Sequence, residues 1–86
     1  METMILKDGT ELEVKAILSY RVKAYSIKGK TLGQMEEILT DENLEEVTIK
    51  NSKGAINSVF KNLTLVDMQK NYSTKEIIFS LKEIEG

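Results

Sequence analysis

The stretch Thr31-Leu32-Gly33-Gln34-Met35-Glu36-Glu37-Ile38-Leu39 decides the fold. It is the one segment with convincing helical spacing. Leu32, Met35, Ile38 and Leu39 recur three and four residues apart and form one apolar stripe. Thr31 and Gln34 fit a capping box, in which each side chain satisfies the other's backbone N–H. Glu36 and Glu37 take the outer face. Gly33 costs about 1 kcal/mol relative to alanine inside a helix, so the helix is short and leans on packing. Thr40-Asp41-Glu42-Asn43 closes it, and Leu44 is expected to fold back onto the core. On both sides of this segment the apolar residues repeat every second position, as in strands.

On the N-terminal side, Ile5-Leu6-Lys7 leads into Asp8-Gly9, and Thr10 to Val14 leads out. Asp-Gly between short strands predicts a two-residue hairpin turn with positive φ at both positions. That register sets Lys7 against Thr10 and Ile5 against Leu12. Leu12, Val14, Ala16 and Leu18 then make a buried face, with Glu11, Glu13 and Lys15 outward. The alternation changes phase afterwards. Tyr20, Val22 and Ala24 share one parity, while Tyr25 and Ile27 share the other. Such a change predicts a bulge or tight turn near Ser19 or Ala24.

On the C-terminal side, Val47-Thr48-Ile49 runs into Asn51-Ser52-Lys53-Gly54, a hairpin loop by composition. A strand from about Ala55 to Met68 carries Val59, Leu63 and Leu65. It is too long for one straight strand, and a break is expected near Lys61-Asn62. Asn71-Tyr72-Ser73-Thr74 forms the last turn. Ile77, Phe79 and Leu81 then alternate, with Glu76, Ser80 and Lys82 outward. The expected fold is α+β in a single domain over residues 1–86. A mostly antiparallel sheet of five to six strands, a single twisted sheet or one curled into a partly open barrel, carries the one short helix.

Composition narrows the chemistry. The 86 residues bury only about 60–65% of the surface that the unfolded chain exposes, so the core is thin. With 41% hydrophobic and 30% charged residues the chain still falls among folded soluble proteins. Cysteine and histidine are both absent. The commonest general base near neutral pH, the thiol nucleophile and the usual zinc and copper ligands are therefore missing. No phosphate-binding glycine loop and no calcium-loop spacing occurs. The expectation is no enzyme, no cofactor and no metal site. Asp41, Glu42, Glu45 and Glu46 could offer carboxylates to Ca²⁺ or Mg²⁺, but they serve better as solvating charges at a helix end. The pair Asp67 with Lys70 or Tyr72 carries no spacing that demands catalysis. Neither a signal peptide nor a membrane span is expected, which fits a cytoplasmic protein.

Charge is unevenly distributed. Lys15, Arg21, Lys23, Lys28 and Lys30 are basic, and no acid interrupts between Val14 and Met35. Glu36, Glu37, Asp41, Glu42, Glu45 and Glu46 follow without a base. This split defines the candidate interaction surface, as a basic strand face that meets nucleic acid, as two complementary patches that meet in head-to-tail assembly, or as an acidic segment that binds one host protein. The plain alternative is a solvated sheet face beside a solvated helix. Tyr20 and Tyr25 could stack on unpaired bases, but the net charge of −2 disfavours nucleic acid, whose affinity is dominated by phosphate contacts.

Three motifs in order carry a resemblance. They are the opening Leu6-Lys7-Asp8-Gly9-Thr10-Glu11-Leu12, the segment Lys30 to Leu39 running through Asn43-Leu44 into Val47-Thr48-Ile49, and the closing Ile77-Ile78-Phe79-Ser80-Leu81. Together they resemble small proteins of the tail and structural modules of phages and prophages from Gram-positive bacteria. The resemblance implies a virion or assembly component that acts through protein contacts, as a homo-oligomer or with other virion proteins.

Overall fold

Helix α1 spans Leu32–Ile38 and begins where the capping box places it. Thr31 Oγ1 accepts from the Gln34 N–H at 3.1 Å, and Gln34 Oε1 accepts from the Thr31 N–H at 2.9 Å. Met35 and Leu39 are buried, and Leu32 and Ile38 pack against the same cluster from its rim. The helix stops as Asn43 Nδ2 donates to the Ile38 carbonyl at 2.9 Å. A single 3₁₀ turn, Asn43–Glu45, then drives Leu44 fully into the core. These features belong to a computed structural model, which describes residues 1–17, 19 and 22–84.

Seven strands surround the helix: β1 Glu2–Ile5, β2 Glu11–Ile17, β3 Lys23–Lys28, β4 Glu46–Lys50, β5 Ile56–Lys61, β6 Leu63–Asn71 and β7 Glu76–Glu83. They form one sheet in the order β5-β4-β1-β2-β3-β7-β6. Every pairing is antiparallel. The number exceeds the expected five to six because the 55–68 stretch breaks fully, at the expected place. Asn62 alone separates β5 from β6 and takes the left-handed conformation, with φ 54°. Its N–H donates to the Glu45 carbonyl at 2.9 Å, and its own carbonyl accepts from the Ile84 N–H at 2.8 Å. The two end strands of the sheet are thus the limbs of one bent segment. The corner is tied both to the turn before β4 and to the end of β7.

The inward face is read off by strand parity. Met4, Leu12, Val14, Tyr25, Ile27, Val47, Ile49, Ile77, Phe79 and Leu81 all point into one cluster, which Met35, Leu39 and Leu44 close from the helical side. The Tyr25 and Phe79 rings meet at 5.8 Å with a tilt of 33°, a favourable offset geometry. The alternation expected for the last strand is fully realised.

Two expectations need correction. The first hairpin pairs Met4 with Leu12 and Ile5 with Glu11, one residue away from the expected register. Its loop holds three residues. Gly9 N–H donates to the Leu6 carbonyl and Leu6 N–H to the Thr10 carbonyl, both at 2.9 Å. Gly9 has φ 91°, whereas Asp8 is not among the positive-φ residues. Asp8 Oδ1 instead accepts from the Thr10 N–H at 2.9 Å, so the turn needs one left-handed residue and not two. The slip puts Met4 and Leu6, not Ile5, on the buried face. The second correction concerns β2. Leu12 and Val14 are buried as expected, but Ala16 is exposed. From Lys15 onward β2 leaves β1 and pairs with β3, which carries its end away from the core. Leu18, Tyr20 and Arg21 lie outside the described residues.

Strand β3 is covered on both faces. Tyr25 and Ile27 face the core, and Ala24 and Ser26 face outward, yet all four are buried. Ala24 lies between Ile17 and Ser80, and Ser26 between Lys15 and Ile78, in the cross-strand register. These larger neighbours shade the small side chains. The antiparallel pairing of β2 with β3 requires the chain to reverse between Ile17 and Lys23, in keeping with the turn expected near Ser19, and no register shift occurs at Ala24. Elsewhere the sheet has two irregularities, at Asn57 in β5 and at Val66 in β6.

Candidate interaction surface

The strand pairings disperse the basic residues of the candidate surface. Lys15 pairs across to Ser26, and Lys28 lies two residues further along β3, so these two share an outward face. With Ser26 and Glu76 they line a shallow depression. Lys23 has the opposite parity. Its Nζ sits 4.7 Å above the Phe60 ring and 3.6 Å from a Glu83 oxygen. Lys28 meets Glu76, also at 3.6 Å. Lys30 lies in the turn before α1, and Arg21 is outside the described residues. The five bases do not form one patch among the described residues.

The acidic segment is also divided. Glu46 pairs with Lys61 at 3.1 Å, and Glu45 pairs with Lys7. Asp41 Oδ1 accepts from the Thr64 hydroxyl at 3.2 Å. Glu36, Glu37 and Glu42 are exposed, and none of the four ion pairs among the described residues includes them. Solvent-exposed pairs of this kind add little stability and mainly set orientation. Among the described residues no cluster of three or more acids converges as a metal site would require. Asp67 and Lys70 project from opposite faces of β6, since their partners are Ser80 and Ile77. Lys70 rests instead 5.6 Å from the Tyr72 ring centre.

Local electrostatics concentrate at the first hairpin. The Thr10 backbone N–H, followed by the Thr10 hydroxyl, holds the Asp8 carboxyl below its ordinary range. The hydrogen bond to Glu45, reinforced by its charge, raises the Lys7 ammonium. Burial, with a smaller push from Glu2, raises the Tyr25 phenol.

The two ends of the sheet differ in a way that charge counting along the sequence does not show. An end strand presents unpaired backbone donors and acceptors, and proteins blunt such edges with charges, bulges or a covering helix. Strand β6 has charges of both signs and a bulge in mid-strand. Asp67 and Lys70 are charged, Val66 bulges in mid-strand and is 52% exposed, and α1 lies against the strand. Strand β5 has its charge, Lys61, and its irregularity, Asn57, only towards its two ends, and the 3₁₀ turn touches it as α1 touches β6. From Ala55 to Phe60 it carries no charge. Its one irregularity, Asn57, sits next to the hairpin loop, and Ser58–Lys61 pairs regularly with β4. Ile56 is 64% and Val59 48% exposed. No proline interrupts the strand. The legible signal is the neutral run Ala55-Ile56-Asn57-Ser58-Val59-Phe60. Its position at the end of the sheet is not legible, because the strand order depends on pairings distant in sequence.

Among the described residues no helix is long and apolar enough to cross a membrane. No protein-family model, curated protein or solved structure matches the chain.

Proposed function

We propose that the chain is a non-enzymatic protein-interaction module that works by assembling with copies of itself, as a structural or assembly accessory of a phage or prophage virion. The observation that carries the assembly reading is the unequal guarding of the two sheet ends, with Ile56 to Phe60 of β5 uncharged and with Ile56 and Val59 exposed. Lack of histidine and cysteine supports a non-catalytic role. The virion context rests on the resemblance carried by three segments: Leu6 to Leu12, Lys30 to Ile49, and Ile77 to Leu81. In this reading the sheet curls into a partly open barrel, because its two ends are the limbs flanking Asn62. Counted with that bent segment as one strand, the barrel has six. Its activity lies in the cytoplasm or in the assembled particle.

Sedimentation or light scattering over a wide concentration range tests the assembly reading. Self-association that strengthens with concentration is expected. A strict monomer that also fails to bind purified virion components would refute it. A second reading, a small regulator of one host protein, is favoured by the exposed carboxylates of Glu36, Glu37 and Glu42. Capture of a single host protein, abolished by salt and by Glu36→Gln with Glu37→Gln, would select that reading instead.

A further inference from the structure

We infer that the partner of β5 is β5 of a second copy, paired antiparallel about a twofold axis that runs through Val59 normal to the sheet. This rests on the assembly reading above and names its contact. A closed dimer of this type joins the same patch on both copies, so each residue meets itself or a near neighbour. Such pairing punishes charge, because like charges set opposite one another repel. The free end strand of this sheet is neutral from Ala55 through Phe60, whereas β6 carries Asp67 and Lys70. The composition of β5 therefore suits a copy of itself.

Geometry then narrows the register. An axis normal to the sheet keeps each face continuous, so opposed residues must have the same parity. Phe60 and Ser58 lie on the core side, opposite Val47 and Ile49, while Val59 lies outward opposite Thr48. With Val59 on the axis, Phe60 of each copy falls over the small Ser58 of the other, and Lys61 faces Asn57. The two Lys61 residues are then four residues apart along the paired strands, about 14 Å at the usual rise. That exceeds the Debye length of about 8 Å in physiological salt. Lys61 also keeps its partner Glu46. Shifting the axis to Phe60 would oppose Val59 to Lys61 and run the pairing into the left-handed corner at Asn62. The outward, exposed position of Val59 makes it the residue to probe.

The test compares the full chain with Val59→Lys and Val59→Glu, alone and mixed in equal amounts, by sedimentation equilibrium. Circular dichroism and urea melts show that each variant is folded. Gln69→Lys on β6 is the control. Each Val59 variant alone is expected to dimerise at least about tenfold more weakly, since opposed like charges cost an interface more than about 1.4 kcal/mol. The mixture is expected to regain or exceed the parent affinity, and Gln69→Lys to leave it unchanged. If the parent assembles and both Val59 variants assemble equally well, the β5 contact is wrong while the assembly reading survives. If Val59→Glu alone tightens the dimer, the Val59-centred register is overturned. A parent chain that stays monomeric overturns the β5 pairing, and the assembly reading falls with it if the chain also fails to bind purified virion components.

Discussion

The corner at Asn62 makes the most direct test of the fold. It is an exposed residue held at φ 54° between β5 and β6. Its backbone makes both anchoring hydrogen bonds, and these survive any substitution other than proline. Side-chain changes here therefore read the backbone conformation nearly alone. A residue with a Cβ pays roughly 1–2 kcal/mol to enter the left-handed region, asparagine being an exception. Asn62→Ala should then lose about 1 kcal/mol. Asn62→Val, branched at Cβ, should lose about 2 kcal/mol or slightly more. Asn62→Gly enters the region freely but gives the unfolded chain more freedom, worth roughly 0.5–1 kcal/mol, so it should fall near neutral. Equilibrium urea unfolding resolves the series. With a slope of about 1 kcal/mol/M the alanine variant shifts its midpoint by about 1 M. The expected order is glycine near asparagine, then alanine, then valine. Alanine equal to asparagine, or valine more stable than glycine, would show that the segment does not turn left-handed at Asn62 in solution.

Other variants probe separate parts of the molecule. Thr31→Ala should lose about 1 kcal/mol in the same melts, as other N-caps do. Thr31→Ala with Gln34→Ala should lose less than the two single losses combined, because the capping bonds are reciprocal. Phe79→Ala removes a fully buried ring and should cost about 3–5 kcal/mol. A chain of 86 residues holds only roughly 4–13 kcal/mol in total, so the urea midpoint should fall by about a quarter of its parent value or more. The pH profile of stability should be flat in its middle and fall at both ends. The Asp8 value is depressed in the fold, chiefly by the Thr10 N–H, from an ordinary 3.8. Its contribution is present above that value and lost as acid passes through the lowered one. The Lys7 value is raised by Glu45 from 10.5. That contribution is present below 10.5 and lost as base passes through the raised value. Asp8→Asn should remove the acid dependence due to this group. An acid limb unchanged in Asp8→Asn would show that the Thr10 contact does not hold the carboxylate.

The fold is legible in the sequence where the chemistry is local. The capping box at Thr31 and Gln34, the return of Leu44 to the core and the break at Asn62 all follow from residues within a few positions. The alternation of Ile77, Phe79 and Leu81 is equally plain. The register of the first hairpin is not, because Met4, Ile5 and Leu6 are all apolar. Neither parity is favoured there, and Asp8-Gly9 fits two loop lengths. Ala16 departs from its expected burial because β2 exchanges one partner strand for another at Lys15. Several charges of the candidate surface meet partners distant in sequence. Lys23 answers to Glu83, Lys28 to Glu76, and Glu46 to Lys61, and sequence spacing says nothing of these partners. The same blindness to strand order hides the exposed position of β5.

The corner at Asn62 also shapes how the chain reaches its fold. It fuses the β4–β5 and β6–β7 hairpins into one uninterrupted ribbon built from neighbours in sequence. The β1–β2 hairpin is likewise local. Two seams remain, where Thr3 meets Lys50 and where Lys23 meets Leu81. Each closes a long loop, and such non-local contacts set slow folding rates. Refolding should therefore pass one main barrier, the sealing of these seams. No slow prolyl phase should follow it, since the chain contains no proline.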